Sequence, residues 1–492
     1  MRVNGIHEKK HTNPNDPTPS PLRRKSGKQC TMKITKNLTE GNITKNLLLY
    51  ALPLMLSALL SQAYSTIDGI IAGKFISENT LGAISATGSF ETVFHSLLQG
   101  FCAGFAIYIA HLFGQKSFAA IKRDVFGMMT FVAAVAFSIG TLAILFRTPI
   151  MSYLNVDPIL WKDAETYFTI YTAGYAIYYT NLFLISTLHA LGITSFSLYV
   201  SFMSAVLNIG GNLLTVVVFR MGVAGIAFST LFSALAATAF YLVMLRKAFA
   251  EMVGDSTPTQ FSLSCVKHSL RYTIPASIQQ FAFHSVIFLI APSINAISAA
   301  ATTGYNISNR IYSFGTQGLW SASSAFACYS GQCAGVGDVK KIRSGLKIGF
   351  IMNALIVLPF VLVLACFARP IVSLFFPAGF TGEAYLYAVR YATVFLPFIY
   401  VQLVGHLLHA YMRSLGAIKT VLWISFVGSV TRLIATLLLI PVIGIDGAFL
   451  GQIISWAIDA LLSIALFFFR YRTPAHIRRE LDRIHRDTQK HA

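Results

Sequence analysis

Long apolar stretches follow one another along most of the chain and are separated by short polar loops. They are continuous rather than alternating, which excludes the pattern of an outer-membrane β-barrel. A helix needs about 20 apolar residues to cross a bilayer core of ~30 Å. The pattern therefore predicts an all-α polytopic membrane protein of about twelve transmembrane helices. We expect the spans near residues 47–72, 81–112, 125–146, 166–189, 197–219, 225–245, 272–295, 305–333, 348–368, 385–412, 420–440 and 447–469.

Composition agrees with this interpretation. Hydrophobic residues make up 55% of the chain and charged residues only 12%, whereas soluble domains carry about 25% charged residues. The net charge of +19 is concentrated at the ends, with ten Lys/Arg in residues 1–46 and seven in residues 470–492. Basic tails can bind nucleic acid. Beside so much apolar sequence, we expect them instead to hold both termini in the cytoplasm, with no nucleic-acid partner.

The loops support the same orientation. Those on the side of the termini hold thirteen Lys/Arg, and those on the opposite side hold five. An odd number of spans, or a missed span midway, would scramble this asymmetry. The localisation that we expect is therefore a multi-pass cell membrane protein with both termini cytoplasmic.

The chain also repeats itself, with corresponding positions separated by a nearly constant offset. Five pairs of landmarks carry this repeat: Pro53 and Pro275, the loops Phe113–Lys116 and Ala334–Gly337, Pro149 and Pro370, Leu191-Gly192 and Leu415-Gly416, and the turns that begin at Gly222 and Gly444. Six spans in each copy predict a parallel repeat, with two six-helix lobes around a central cavity. The predicted divisions are a basic, disordered tail (1–46), an N-terminal lobe (47–245), a linker (246–271), a C-terminal lobe (272–469) and a basic tail (470–492).

Six short stretches carry a resemblance to a known family: Leu38–Ile43, Tyr64–Asp68, Leu207–Ile209, Gly222–Ala227, Ser308–Ile311 and Gly444–Gly447. With their order and the loop lengths, the chain resembles the multidrug and toxic compound extrusion (MATE) family over roughly residues 38–470. The resemblance implies secondary active efflux of organic, cationic or amphipathic compounds by proton- or sodium-coupled antiport. It also implies rocking of two lobes, no enzymatic activity and no cofactor beyond the coupling ion. We expect a monomer in the lipid bilayer.

Asp68 is the leading candidate for the coupling residue. It lies within the first predicted span, where an ionisable residue costs roughly 2.5–3.5 kcal/mol on insertion scales and marks a functional site by default. A carboxylate held away from water can exchange a proton near neutral pH. Tyr64 precedes it by four residues on the same helical face, so its hydroxyl could bond to Asp68 or simply line the cavity. The alternative role for Asp68 is a structural hydrogen bond between helices.

The resemblance groups Asp68 with Asn208, Asn212, Asn181 and Thr230 in a polar cluster for ion coupling. Many family members carry an acid where this chain has Asn212. A single acid weakens both a two-carboxylate proton relay and a tightly held Na⁺, because hard cations prefer charged oxygens. The alternative role for the asparagines is simple packing between membrane helices.

The second copy of the repeat lacks the acid. The counterpart of Asp68 is Ile290, and the counterparts of Asn208 fall between Val430 and Arg432. We therefore expect coupling in the N-terminal lobe. Further polar and charged residues lie within predicted spans, and for most of them ion pairing or a satisfied hydrogen bond is the simpler interpretation: Glu91, His284, Arg310, His406, His409, Arg432 and Asp459. Of these, Glu91, His284 and Arg310 join Tyr64 as the predicted substrate-cavity residues.

Other functional classes fit less well. No DxxD or DxxxD motif is present for a prenyltransferase, and no GxxxxGK[ST] motif for an ATP-driven pump. The six cysteines show neither a CxxC pair nor metal-ligand spacing, so no metal site is predicted. A lipid-precursor flippase of the same superfamily remains the alternative, and a channel would conduct without coupling.

Overall fold

The computed structural model describes residues 34–489 except 77, 155, 157, 255–262 and 377–378. This part of the chain forms sixteen α-helices and no strand. The first eight are α1 (Ile43–Phe75), α2 (Glu78–Gly114), α3 (Phe118–Leu145), α4 (Arg147–Tyr153), α5 (Trp161–Ala173), α6 (Tyr175–Ala190), α7 (Thr194–Asn212) and α8 (Val223–Val253). The last eight are α9 (Leu263–Asn295), α10 (Ala299–Val336), α11 (Val339–Ser373), α12 (Glu383–Arg390), α13 (Ile399–Ser414), α14 (Ile418–Ile443), α15 (Ile445–Leu466) and α16 (Pro474–Gln489).

The helices follow the predicted order, and ten helical segments of the described chain are long and apolar enough to cross a membrane. The two remaining predicted spans, the fourth and the eighth, fall short for different reasons. The fourth is divided at Gly174 into α5 and α6, and neither piece is long enough to cross a membrane alone. The eighth is α10, which is long but rich in Ser, Thr, Asn and Gln. Both face the central cavity, where polar side chains need not meet lipid.

Three other spans depart from a regular α-helix. A π-helical turn at Leu213–Val218 continues α7, and another at Phe467–Tyr471 continues α15. Between α12 and α13 lie a π-helical turn (Tyr391–Phe395) and a short 3₁₀ turn (Leu396–Phe398) containing Pro397. Proline lacks the N–H that a continuous α-helix requires, which accounts for the last interruption.

The backbone repeats as the sequence predicts. Gly222 before α8 has φ 59° and ψ −140°, and Gly444 before α15 has φ 63° and ψ −140°. The turns at Gly192 and Gly416 also share a positive φ, 84° and 76°. These conformations strain a residue with a side chain, so glycine is required at the same points of both copies.

Large apolar side chains cover the outer surface of the bundle. Leu142, Leu355 and Leu438 are 53%, 61% and 68% exposed. Water would penalise so many exposed side chains, whereas lipid accommodates them.

The tails and the linker differ in part from the sequence prediction. Residues 34–42 belong to the predicted disordered tail, but Leu38 is 2% exposed and its N–H donates to Oε1 of Gln332 at 2.9 Å. Residues 43–46 of the same predicted tail begin α1, so the prediction of disorder is wrong for them, and residues 1–33 lie outside the described residues. Helix α8 extends into the predicted linker as far as Val253. The C-terminal tail forms α16, which buries Ile477 and Leu481 against the bundle.

The two lobes meet closely at one end. At Gly114 of α2 an added Cβ would meet the carbonyl oxygen of Gln332, and at Gly335 of α10 it would meet that of His111. Each such Cβ would also lie 2.9 Å from the Cα of the other glycine. Gly100 makes a similar backbone approach to Ala276 of α9. The lobes are therefore packed backbone against backbone at the end that carries the basic loops.

Candidate functional site

A cavity of about 1360 Å³ lies between the two lobes. Helices α1, α2, α5, α6 and α8 contribute to one wall, and α9, α10, α13, α14 and α15 to the other. Seven of the nine predicted site residues line it: Tyr64, Asp68, Glu91, Asn181, Thr230, His284 and Arg310. The other two, Asn208 and Asn212, are 1% and 0% exposed and lie behind this wall.

Asp68 is tied to α7 by a short hydrogen bond. Nδ2 of Asn212 donates to Oδ1 of Asp68 at 2.6 Å. Helix α1 brings Asp68 to this contact, and α7 packs along α1 over much of its length. The carboxylate therefore has one side in the cavity and the other against a buried amide.

The cluster continues from Asn212 towards α8. Nδ2 of Asn212 lies 3.4 Å from Oδ1 of Asn208, and Nδ2 of Asn208 donates to Oγ1 of Thr230 at 3.2 Å. Thr230 in turn donates to the carbonyl oxygen of Ile226. Oδ1 of Asn212 is buried and has no hydrogen-bond partner among the described residues. Asp68, Asn212, Asn208 and Thr230 thus form one chain of contacts across three helices.

Two predicted members of the site stand apart from this chain. Nδ2 of Asn181 donates to Oγ1 of Thr238 at 3.2 Å, in α8, rather than joining the Asp68 cluster. The hydroxyl of Tyr64 accepts a bond from Ser61 at 3.4 Å. The bond from Tyr64 to Asp68 that the helical spacing allowed is not found among the described residues. Both side chains nevertheless line the cavity.

A second carboxylate of the N-terminal lobe is surrounded by aromatic rings. Oε1 of Glu91 is buried and lacks a hydrogen-bond partner among the described residues, so the predicted ion pair for Glu91 is wrong within that part of the chain. Tyr171 and Tyr178 stack with ring centroids 4.7 Å apart, and Tyr167 stacks on Tyr171 at 5.5 Å. Five tyrosines of α5 and α6 line the same cavity as Glu91: Tyr167, Tyr171, Tyr175, Tyr178 and Tyr179.

These tyrosines are not among the site residues predicted from the sequence, although their spacing carries a signal. Tyr167, Tyr171, Tyr175 and Tyr179 recur at every fourth position, which keeps them on related faces of a helix. The overall abundance of aromatic residues in the chain hid this local periodicity.

The opposite wall carries positive charge. Arg432 of α14 is 5% exposed, and its Nη2 lies 3.4 Å from the hydroxyl of Tyr305. Neither Arg432 nor Arg310 forms an ion pair with a carboxylate among the described residues. The ion pairing expected for these two arginines is therefore wrong within that part of the chain. Oδ2 of Asp459 lies 3.4 Å from Nε2 of His409, a contact that is an ion pair only where the histidine is protonated. The described residues contain no group of three or more His, Cys, Asp or Glu side chains suited to a metal ion.

Comparison with known proteins decides the family. The sequence model of the MatE family matches twice, over residues 53–214 and 275–438. The chain belongs to the MATE family of membrane transporters. The two matches begin at Pro53 and Pro275, which are the first pair of landmarks in the repeat. This agreement confirms the internal repeat and the resemblance on which the sequence analysis relied.

Individual MATE relatives are distant but cover nearly the whole chain. A probable multidrug resistance protein of Bacillus subtilis, YpnP, is 24% identical over 88% of this chain and 96% of its own length. A second one from the same organism, YoeA, is 23% identical over 79% and 84%. A solved multidrug resistance MATE family transporter in an outward-facing conformation superposes with a TM-score of 0.80 at 16% identity, covering 91% of this chain and 98% of that one. The structural likeness establishes the fold.

Proposed function

We propose that this MATE transporter exports amphipathic organic cations from the cell by proton-coupled antiport, with Asp68 as the coupling residue. The observation that carries the proposal is the position of the Asp68 carboxylate, which reaches the central cavity and is held from behind by Asn212 at 2.6 Å. One side of the Asp68 carboxylate can exchange a proton with the cavity. The other side contacts Asn212, so a change in its protonation can alter the packing of α1 against α7.

Proton coupling is favoured over sodium coupling by the composition of the cluster. Asp68 is the only acid in the chain of contacts that runs to Thr230. A sodium ion favours several oxygen ligands, and charged ones most. Here the nearest neighbour offers Asp68 an N–H donor instead of an oxygen. Protonation of Asp68 needs no further ligand, and the transporter would need no cofactor.

The cargo is inferred from the first wall of the cavity. Glu91 supplies a carboxylate without a hydrogen-bond partner at Oε1 among the described residues, and stacked tyrosines supply π faces. A cation over an aromatic ring gains about 0.5–2 kcal/mol, more where water is excluded. This combination suits a cation attached to an apolar or aromatic body. The names of the Bacillus subtilis relatives are in keeping with such cargo.

The orientation follows from the charge of the loops. If the basic loops and both termini are cytoplasmic, then the packed end at Gly114 and Gly335 is the inner one. The cavity would face outward, and inward opening would require the lobes to rock apart at that end. We infer a monomer in the plasma membrane, since each chain contains a complete cavity between its own lobes.

The test is transport by the purified chain in proteoliposomes under imposed proton and sodium gradients separately, with a panel of cationic dyes. We expect dye uptake against its own gradient to require the proton gradient and to stop when an ionophore collapses it. Stimulation by sodium alone would overturn the proton assignment. Equal flux without any gradient would overturn antiport and indicate a channel.

A lipid-precursor flippase remains a second candidate because the other wall of the cavity is cationic. Arg310, Arg413 and Arg432 all line it, and guanidinium groups bind phosphates. Transfer of a fluorescent lipid diphosphate across the bilayer, without transport of cationic dyes, would favour the flippase.

A further inference from the structure

Arg432 stands at the junction of the central cavity with a smaller one. The smaller cavity, about 530 Å³, lies between α9 and α10 and is lined among others by Asn306, Tyr312 and Trp320. We call it the side cavity. His284, Trp320 and Arg432 line both cavities. Its volume falls within the range of sites for drug-sized ligands, about 300–1000 Å³.

The guanidinium of Arg432 lacks the partner that a buried charge requires. Among the described residues its Nε has no hydrogen-bond partner, and it forms no ion pair with a carboxylate. None of the described residues that line the side cavity is Asp or Glu. An arginine at mid-membrane depth costs several kcal/mol unless it is paired or solvated. A ligand that supplies the missing negative charge would relieve part of this cost.

Two unpartnered ring nitrogens lie on side chains that line the side cavity with Arg432. Nε1 of Trp320 is buried without a partner among the described residues, and an indole N–H can only donate. Nε2 of His284 is likewise buried and unpartnered there. Both side chains line the side cavity together with Arg432. Small rotations of the rings would bring the indole N–H, and Nε2 of His284 in its protonated tautomer, to an acceptor with several oxygens.

The internal repeat shows how the two lobes differ in charge at corresponding positions. At the offset that separates the ends of the two family matches, Arg432 corresponds to Asn208. Ile290, which is 0% exposed, occupies the position of Asp68. The C-terminal lobe has thus exchanged the acid of the coupling cluster for an apolar residue and one of its amides for a cation.

We propose that the side cavity around Arg432 binds the anionic group, a carboxylate or phosphoryl group, of small organic cargo. A guanidinium binds either group through two parallel hydrogen bonds, and the aromatic rings of Tyr305, Tyr312 and Trp320 line space for the attached body. Cargo with both charges would contact Glu91 on one wall and Arg432 on the other. The transport of such cargo rests on the proposed function, whereas the binding of the anion does not.

The test compares two forms of one dye on the full-length chain in phosphatidylcholine nanodiscs without any gradient. One form is a cationic xanthene dye with a free benzoate, and the other is its methyl ester. We expect Arg432→Gln to weaken binding of the free acid about tenfold, as for loss of a hydrogen bond to a charged group. Binding of the ester should change less than about twofold. Arg432→Lys should retain part of the affinity because it keeps the charge.

Trp320→Phe provides a second variant, which keeps an aromatic side chain and removes the indole N–H together with the five-membered ring. It should weaken binding of the free acid about threefold. It replaces Arg432→Gln as the test variant if that protein does not fold. Equal losses for acid and ester, or no loss for either, would overturn the anion site. Failure of the ester to bind the wild-type chain would count against the proposed cationic cargo instead.

Competition identifies the source of the anion. Displacement of the free acid by benzoate or phenyl phosphate, but not by phosphatidylglycerol in the nanodisc, supports small organic cargo. Displacement by phosphatidylglycerol alone would overturn the proposal and indicate a lipid headgroup.

Discussion

Nδ2 of Asn212 donates to Oδ1 of Asp68 at 2.6 Å, across the contact between α1 and α7. Such a bond favours the ionised carboxylate, because a protonated oxygen would present its own O–H. Oδ1 of Asn212 has no partner among the described residues. Rotation of the amide would bring that oxygen towards Asp68 as an acceptor. The pair can therefore satisfy both protonation states, each with a different orientation of Asn212.

Asp68→Asn should abolish gradient-driven dye efflux in proteoliposomes while the protein still folds. The amide has nearly the shape of the carboxylate but cannot exchange a proton, so coupling is lost and packing is kept. Asp482→Asn removes an exposed carboxylate of α16 in the same way and should leave efflux unchanged. Undiminished export by Asp68→Asn would exclude Asp68 as the coupling residue.

Replacements of Asn212 separate hydrogen bonding from packing. Asn212→Leu removes the donor and leaves Asp68 without this bond, so we expect transport to fall about tenfold or more, as for loss of a hydrogen bond to a charged group. Asn212→Asp should retain transport with a changed pH profile, because two carboxylates in contact share a proton. Initial rates measured across the range from mildly acidic to mildly alkaline pH would distinguish these outcomes. Equal activity of wild type and Asn212→Leu would show that the bond is structural.

The sequence predicted the site only in part. A spacing of four residues places Asn208 and Asn212 in contact, but the Tyr64–Asp68 bond that the same spacing allowed is not found among the described residues. Asn208 and Asn212 are one helical turn apart, and their contacts with Asp68 and Thr230 follow from the resemblance. Asn181 was grouped with them, but it bonds to Thr238 one helix away. Sequence spacing within one helix cannot determine which turn of a neighbouring helix lies opposite.

The spans and the two lobes could be predicted from the sequence, whereas the contacts between charged side chains could not. Apolar length located the spans and the repeat located the lobes, and both are properties of the chain alone. The ion-pair partners of charged side chains are not a property of the chain alone. They depend on how helices from distant parts of the sequence are oriented against one another. Glu91 and Arg432 were expected to form ion pairs, yet they face different parts of the cavity wall without a carboxylate–guanidinium contact among the described residues.

Glu91→Gln should weaken binding of the cationic methyl ester dye about fivefold or more, by loss of an attraction between a cation and a carboxylate in a poorly hydrated site. Glu383→Gln, an exposed residue at the start of α12, is the matched control and should bind as wild type does. Tyr171→Phe keeps the ring and should change affinity little. An unchanged affinity in Glu91→Gln would remove Glu91 from the cation site.

Gly222→Ala should lower the thermal stability of the protein in detergent, at a cost of about 1–3 kcal/mol. Gly222 has φ 59° and ψ −140°, a region that a residue with Cβ rarely adopts, although no atom lies within 4 Å of an added Cβ. The cost is therefore conformational and not steric. Gly210→Ala, also with open space but within regular α7, should be neutral or slightly stabilising. Melting temperatures that are equal for the two variants would show that the turn is not strained.

Gly114→Ala should loosen the packed end of the two lobes. The new Cβ would meet the backbone carbonyl of Gln332, which cannot move aside as a side chain can. Cys333, next in sequence to Gln332, is 0% exposed and reports opening of this end. We expect its labelling by a maleimide, followed by mass spectrometry, to become about tenfold faster, which corresponds to about 1.4 kcal/mol. Gly88→Ala in the same helix, where no atom of the described residues lies within 4 Å of an added Cβ, should leave the rate unchanged. If Cys333 in Gly114→Ala were labelled as slowly as in the wild type, the contact between Gly114 and Gln332 would not hold the lobes together.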